Sequence, residues 1–137
     1  NLLNVLLFEE MLLKLDLLSV LPKFNAIQSK VWVYEHCHQK ALTTTESLIK
    51  SIKLIPEIQF EIIEGGCCGM AGDFGYKYSK ISEKIAHNSL GAYMKKINSC
   101  DVLIATGISC RRQILDIFKF QSNHLVQLFS RSLRNKC

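Results

Sequence analysis

Phe60-Glu61-Ile62-Ile63-Glu64-Gly65-Gly66-Cys67-Cys68-Gly69 decides the fold. Phe60 to Ile63 reads as a short strand that stops in a loop of glycines and paired cysteines. Two other stretches repeat this plan. Val31-Trp32-Val33-Tyr34 is β-branched and aromatic, and runs into Glu35-His36-Cys37-His38. Val102-Leu103-Ile104-Ala105 reads as a buried strand and leads through Thr106-Gly107 to Ser109-Cys110.

Helical patterns lie between these strands. Residues 40–55 place Leu42, Leu48, Ile49, Ile52 and Ile55 at helical spacing, with Pro56 beyond. Residues 79–97 predict a second helix with Ile81, Ile85, Tyr93 and Ile97 facing inward, and residues 110–121 a third. A short segment before His124 is a candidate fourth strand, and residues 125–133 read as a closing helix. The alternation predicts an α/β fold. It would be a three-layer, Rossmann-like domain with a small parallel sheet of three or four strands, flanked by helices and joined by right-handed crossovers.

Further out, residues 1–21 are leucine-rich and read as an amphipathic helix that ends at Pro22. Glu9, Glu10, Lys14 and Asp16 make this stretch too polar for a membrane span, and it lacks the basic start of a signal peptide. The expected organisation is an N-terminal helix and linker over residues 1–27, then a cysteine-rich domain over residues 28–137. The chain opens on Asn1 and reads as part of something longer.

A length of 137 residues with 48% hydrophobic content suits one domain with a real core. The 17 basic and 12 acidic residues leave a net charge of +5, and the cations are scattered without an aromatic-interleaved stripe. Nucleic-acid binding is therefore not expected. Six cysteines without a secretory signal favour metal or redox chemistry over a disulfide framework, and a cytoplasmic protein.

Ligand sites of open parallel sheets lie at the carboxyl ends of the strands. Cys37, Cys67, Cys68 and Cys110 each follow a strand and should share that pole, whereas Cys100 precedes a strand and Cys137 is terminal. Thiolates are the metal-binding form, and a helix start such as that at Cys110 favours them. Gly65, Gly66, Gly69, Gly72 and Gly75 are five of the seven glycines, and all lie in one loop. There Gly69 and Gly72 would let backbone N–H groups turn toward a bulky group. The adjacent pair Cys67-Cys68 is awkward for one tetrahedral zinc and better suited to a polynuclear centre. A disulfide between them would strain the backbone. The glycine loop lacks the Gly-Lys-Ser/Thr ending of a phosphate loop. His36 and His38 flank Cys37 and are expected around the ligands rather than among them, and His124 either joins them there or merely caps the last helix. Arg111 and Arg112 either offset an anionic cluster, contact an acidic substrate, or are ordinary surface charge. His87, mid-helix, is expected on the surface.

These residues carry a resemblance. The stretch His36-Cys37-His38-Gln39-Lys40-Ala41-Leu42 is the first part of it, followed by Gly66-Cys67-Cys68-Gly69-Met70-Ala71-Gly72 with Phe74-Gly75. Ala105-Thr106-Gly107, Ser109-Cys110-Arg111, Gln113 and His124 complete it. Together they resemble the cysteine-rich CCG domain found in heterodisulfide reductase and in the iron–sulfur component of glycolate oxidase. The wording is most similar to the version that closes long FAD-linked oxidases of the D-2-hydroxyglutarate or D-lactate dehydrogenase type.

The resemblance implies an iron–sulfur, electron-transfer module, with FAD and a ferredoxin-like domain upstream in the parent chain. It implies no turnover by this part alone, and membrane association only through partners. The heterodisulfide reductase pattern ends in Cys-x-x-Cys, whereas position 113 here is Gln113. A four-cysteine 4Fe-4S cluster, a structural zinc, and a metal-free interface domain all stay open.

Overall fold

A computed structural model describes residues 5–42 and 44–134. Helix α1 (Phe8–Leu17) precedes strand β1 (Val31–Tyr34), which is followed by α2 (Cys37–Leu42) and α3 (Thr45–Ile52). Strand β2 (Phe60–Ile62), the short α4 (Phe74–Lys77) and the long α5 (Ser79–Met94) come next. Strand β3 (Val102–Ala105), α6 (Ile108–Phe118) and α7 (Leu125–Arg134) complete the chain.

The sheet is parallel in the order β2-β1-β3. Val31 is in register with Phe60 and with Val102, so the three strands start level. The candidate fourth strand contracts to one parallel bridge between Ile104 and Asn123, made by hydrogen bonds from Ala105 to Asn123 and from Asn123 to Leu103.

Alternation along the buried strands sorts the core into two layers. Val31, Val33, Val102 and Ile104 pack with Leu12, Leu48, Ile52, Leu125 and Phe129 on one face. Trp32, Tyr34, Leu103 and Ala105 pack with Leu90, Cys110 and Ile114 on the other. Helices thus cover both faces, and the expected three-layer α/β architecture is present. Helix α1 lies against α3 and lends Leu12 to the core.

Three local readings need correction. The first helix does not run to Pro22. It stops at Leu17, where Ser19 turns left-handed with φ 55° and the Ser19 and Val20 N–H groups bond back to Asp16 and Leu15. That is a Schellman end, which satisfies the last carbonyls before the proline can matter. The single helix over residues 40–55 is two helices. Thr44 is extended between them (φ −85°, ψ 141°), within a run of three β-branched threonines at 43–45 that favours helix poorly.

Helix α5 buries Ser82, Ala86 and Leu90 rather than a face led by Ile81, which is 53% exposed. Ile85, Tyr93 and Ile97 are half-buried. The reason is steric. A Cβ on Gly69 would stand 2.4 Å from the Ser82 carbonyl oxygen, so the glycine loop sits hard against the small side of the helix.

Candidate metal centre

All four predicted cysteines stand beyond the carboxyl ends of the strands. Cys37 is the first residue of α2 after β1, Cys67 and Cys68 lie in the loop after β2, and Cys110 lies in the first turn of α6 after β3. Cys100 is exposed and precedes β3, at the other end of the sheet. Cys137 lies outside the described residues. The described cysteines form no disulfide.

The thiols influence one another in sequence. Cys37 acts on Cys67, Cys67 on Cys68, and Cys68 on Cys110. Cys37 and Cys67 are half-buried, whereas Cys68 and Cys110 are buried. The neighbouring Cys110 thiol is the main influence holding Cys68 down to about 6, and the Met70 N–H adds to it. Cys68 in turn, with burial, pushes the Cys110 thiol up. Burial also raises Cys67, against the Gly69 N–H that points to its Sγ at 3.3 Å. The inner pair therefore favours one thiolate beside one thiol. Among the described residues, no three His, Cys, Asp or Glu side chains are grouped to hold a single metal ion.

The remaining predicted residues divide by what they touch. The His36 N–H donates to Thr106 Oγ1 at 2.9 Å, and its ring and the Cys110 sulfur both crowd Gly107. A Cβ there would meet His36 Cδ2 at 2.7 Å and Cys110 Sγ at 3.0 Å, so glycine lets the imidazole approach the sulfur. Burial, then the neighbouring His38, lowers the His36 pKa. Both rings line an open cleft of about 420 Å³ with Gln39, Leu42, Thr106 and Gly107.

Gly69 has φ +89° and Gly72 φ +55°, conformations that glycine tolerates best. Arg111 donates Nη1 to the carbonyls of Ala105 and Thr106 at 2.8 and 3.1 Å, which pins α6 to the end of β3. Arg112 is exposed and pairs with Asp116. His124 acts at the start of α7, where its Nδ1 accepts from the Val126 N–H at 3.3 Å. Burial, then Arg111, lowers its pKa. His87 is exposed, as expected.

Two residues at this pole escaped the sequence reading. Tyr34 is buried at the end of β1, and its hydroxyl donates to the Gly66 carbonyl at 2.5 Å. Burial, then Cys110 and Cys68, raises its pKa, so the phenol stays neutral beneath the sulfurs. Ser82 is buried on α5 and donates to the Gly69 carbonyl at 2.9 Å. A buried tyrosine needs a partner for its hydroxyl, which is the signal that could have flagged Tyr34.

Fold and site together define a small parallel α/β unit with a thiol-lined pole. No protein-family model matches the chain, and no solved structure matches it. It is similar to one of the subunits of anaerobic glycerol-3-phosphate dehydrogenase from Escherichia coli K12, the subunit designated C. The two are 22% identical over 120 residues that cover 88% of this chain and 30% of that protein. The same subunit from Escherichia coli O157:H7 matches to the same extent. The chain thus spans 30% of the length of the curated relatives it matches.

Proposed function

We propose that this chain is the cluster-holding, electron-transfer part of a flavin-linked dehydrogenase, with Cys37, Cys67, Cys68 and Cys110 as the ligands. The observation that carries the reading is the placement of those four thiols just beyond the carboxyl ends of three adjacent parallel strands. The likeness to a dehydrogenase subunit points the same way. The donors are sulfur throughout, which suits iron–sulfur chemistry. The adjacent pair Cys67-Cys68 lets each sulfur reach a different metal atom, which suits a polynuclear centre better than one zinc ion.

A 4Fe-4S cluster, when bound, would supply one-electron transfer. The chain's own work is to hold the thiolates, to aim the Gly69 N–H at Cys67, and to keep the inner sulfurs dry over Tyr34 and Met70. Electrons would arrive from FAD in an upstream domain or partner subunit. The substrate class implied by the CCG resemblance is a D-2-hydroxy acid such as D-2-hydroxyglutarate or D-lactate, bound outside this module.

The test is iron, sulfide and zinc analysis of the full chain after anaerobic reconstitution. Iron and sulfide in comparable amounts, lost in Cys68→Ser, would support the reading. Zinc alone, or no metal on a folded chain, would overturn it in favour of a structural zinc or metal-free interface domain.

A further inference from the structure

Gln113 occupies the position where the heterodisulfide reductase pattern carries another cysteine. It is a polar side chain only 4% exposed, on the inner face of α6. Its Nε2 donates to Ser82 Oγ at 2.7 Å, and that hydroxyl donates to the Gly69 carbonyl at 2.9 Å. A serine hydroxyl has one proton to give, so accepting from Gln113 leaves that proton directed at Gly69. The carbonyl and N–H of a trans peptide point in opposite directions. Gripping the Gly69 carbonyl from one side therefore turns the Met70 N–H to the other side, toward Cys68, whose thiolate it favours. The peptide on the other side of Gly69 donates its N–H to Cys67 Sγ at 3.3 Å. Both donors depend on the conformation of one residue, Gly69, at φ +89°. Glycine enters that conformation readily but has others open to it, so a grip on its carbonyl selects among them.

We propose that Gln113 is a positioning residue of the thiol pole: through Ser82 it fixes the Gly69 backbone so that the Gly69 and Met70 amides point at the sulfurs of Cys67 and Cys68. A cysteine at position 113 would add a sulfur. Gln113 instead supplies hydrogen bonds to sulfurs already there, by way of a helix and a peptide. Such bonds favour the more negative, reduced state of a cluster, and so raise its reduction potential. This consequence for the potential rests on the cluster reading above. The positioning itself does not.

The experiment uses the full chain in two states, with the variants Gln113→Met and Ser82→Ala. Gln113→Met keeps the bulk and removes the donor, and Ser82→Ala breaks the same relay at its middle. Ile114→Val serves as a control, because Ile114 is a fully buried neighbour on α6 that takes no part in the relay. In metal-free protein, amide exchange at Gly69 and Met70 should speed up about tenfold in both relay variants, as one hydrogen bond is lost. It should stay at the wild-type value in Ile114→Val, even though that variant melts earlier. In reconstituted protein the potential should fall in both relay variants and not in the control. Unchanged exchange at Gly69 and Met70 in both relay variants would overturn the positioning role. Equal acceleration in Ile114→Val would do the same, since it would reduce the effect to general loosening. If the wild-type chain takes up no iron, the cluster reading fails, and the exchange data still decide the role of Gln113.

Discussion

The buried side chains of Cys110 and Cys68 share one packed layer, joining the start of α6 to the loop after β2. Each residue influences the other: Cys68 is drawn toward thiolate and Cys110 is held as thiol. Replacing Cys110 by Ala removes that partner and leaves a small void in the layer formed with Ile114 and Tyr34. Cys110→Ala should lower stability by about 1–2 kcal/mol, read from urea unfolding of the metal-free chain. It should also abolish iron uptake on reconstitution.

Glycines of the loop should differ in their tolerance of a side chain. Gly69→Ala meets both a positive φ and the Ser82 carbonyl, and should cost about 3 kcal/mol. Gly72 has a positive φ but open space around it, so Gly72→Ala should cost about 1 kcal/mol. Thermal unfolding of the two variants side by side checks the order, and equal melting points would contradict the packing described for α5.

Arg111 and Arg112 are neighbours with different work. Arg111→Lys keeps the charge but loses the double grip on Ala105 and Thr106, and should cost about 1 kcal/mol. Arg112→Ala touches an exposed ion pair and should leave stability nearly unchanged. Chemical denaturation at moderate salt measures both.

Glu9 gives the fold a pH dependence. Its side chain is buried under α1 and accepts from Gln39 Nε2. Burial raises its pKa above the ordinary 4.5, with Glu10 and Glu35 adding to the rise. A raised carboxyl pKa means that the folded chain binds the proton more tightly than the unfolded chain does. Stability from this group is therefore fully present below about 4.5 and falls as pH rises through the higher folded value. Glu9→Gln removes the titration and should flatten urea midpoints measured from pH 4 to 7. The variant should be the more stable protein at pH 7. A midpoint that drops with pH as steeply in the variant as in the wild type would rule out Glu9 as the source.

The strand ends and their cysteines were legible because short β-branched and aromatic runs stop at glycine or at a polar turn. The chain then has few places to go but the pole of a parallel sheet. Helix faces were less legible. Ile81 looked inward by hydropathy, yet the tight seat of Gly69 on Ser82 rotates α5 to present its small residues. The break near Thr44 was visible as a β-branched run and was outweighed by the longer periodicity around it. Tyr34, Ser82 and the partners of Gln113 act across space between elements distant in sequence, so no local pattern announces them. Arg111 shows the same limit: its charge left an anionic partner and ordinary surface charge both open, and nothing local announced that its guanidinium holds two backbone carbonyls.

The short sheet has a further consequence for how this molecule meets others. Unpaired strand borders invite a second chain to add its own backbone ladder. Here one border, β2, is three residues long, and its Glu61 is paired with Lys30. The other border is occupied by the passing segment at Asn123. Intermolecular strand addition, the usual route to fibrous aggregation, thus has little template among the described residues. Association with another protein is left to side-chain surfaces, which can form and release without remodelling the sheet.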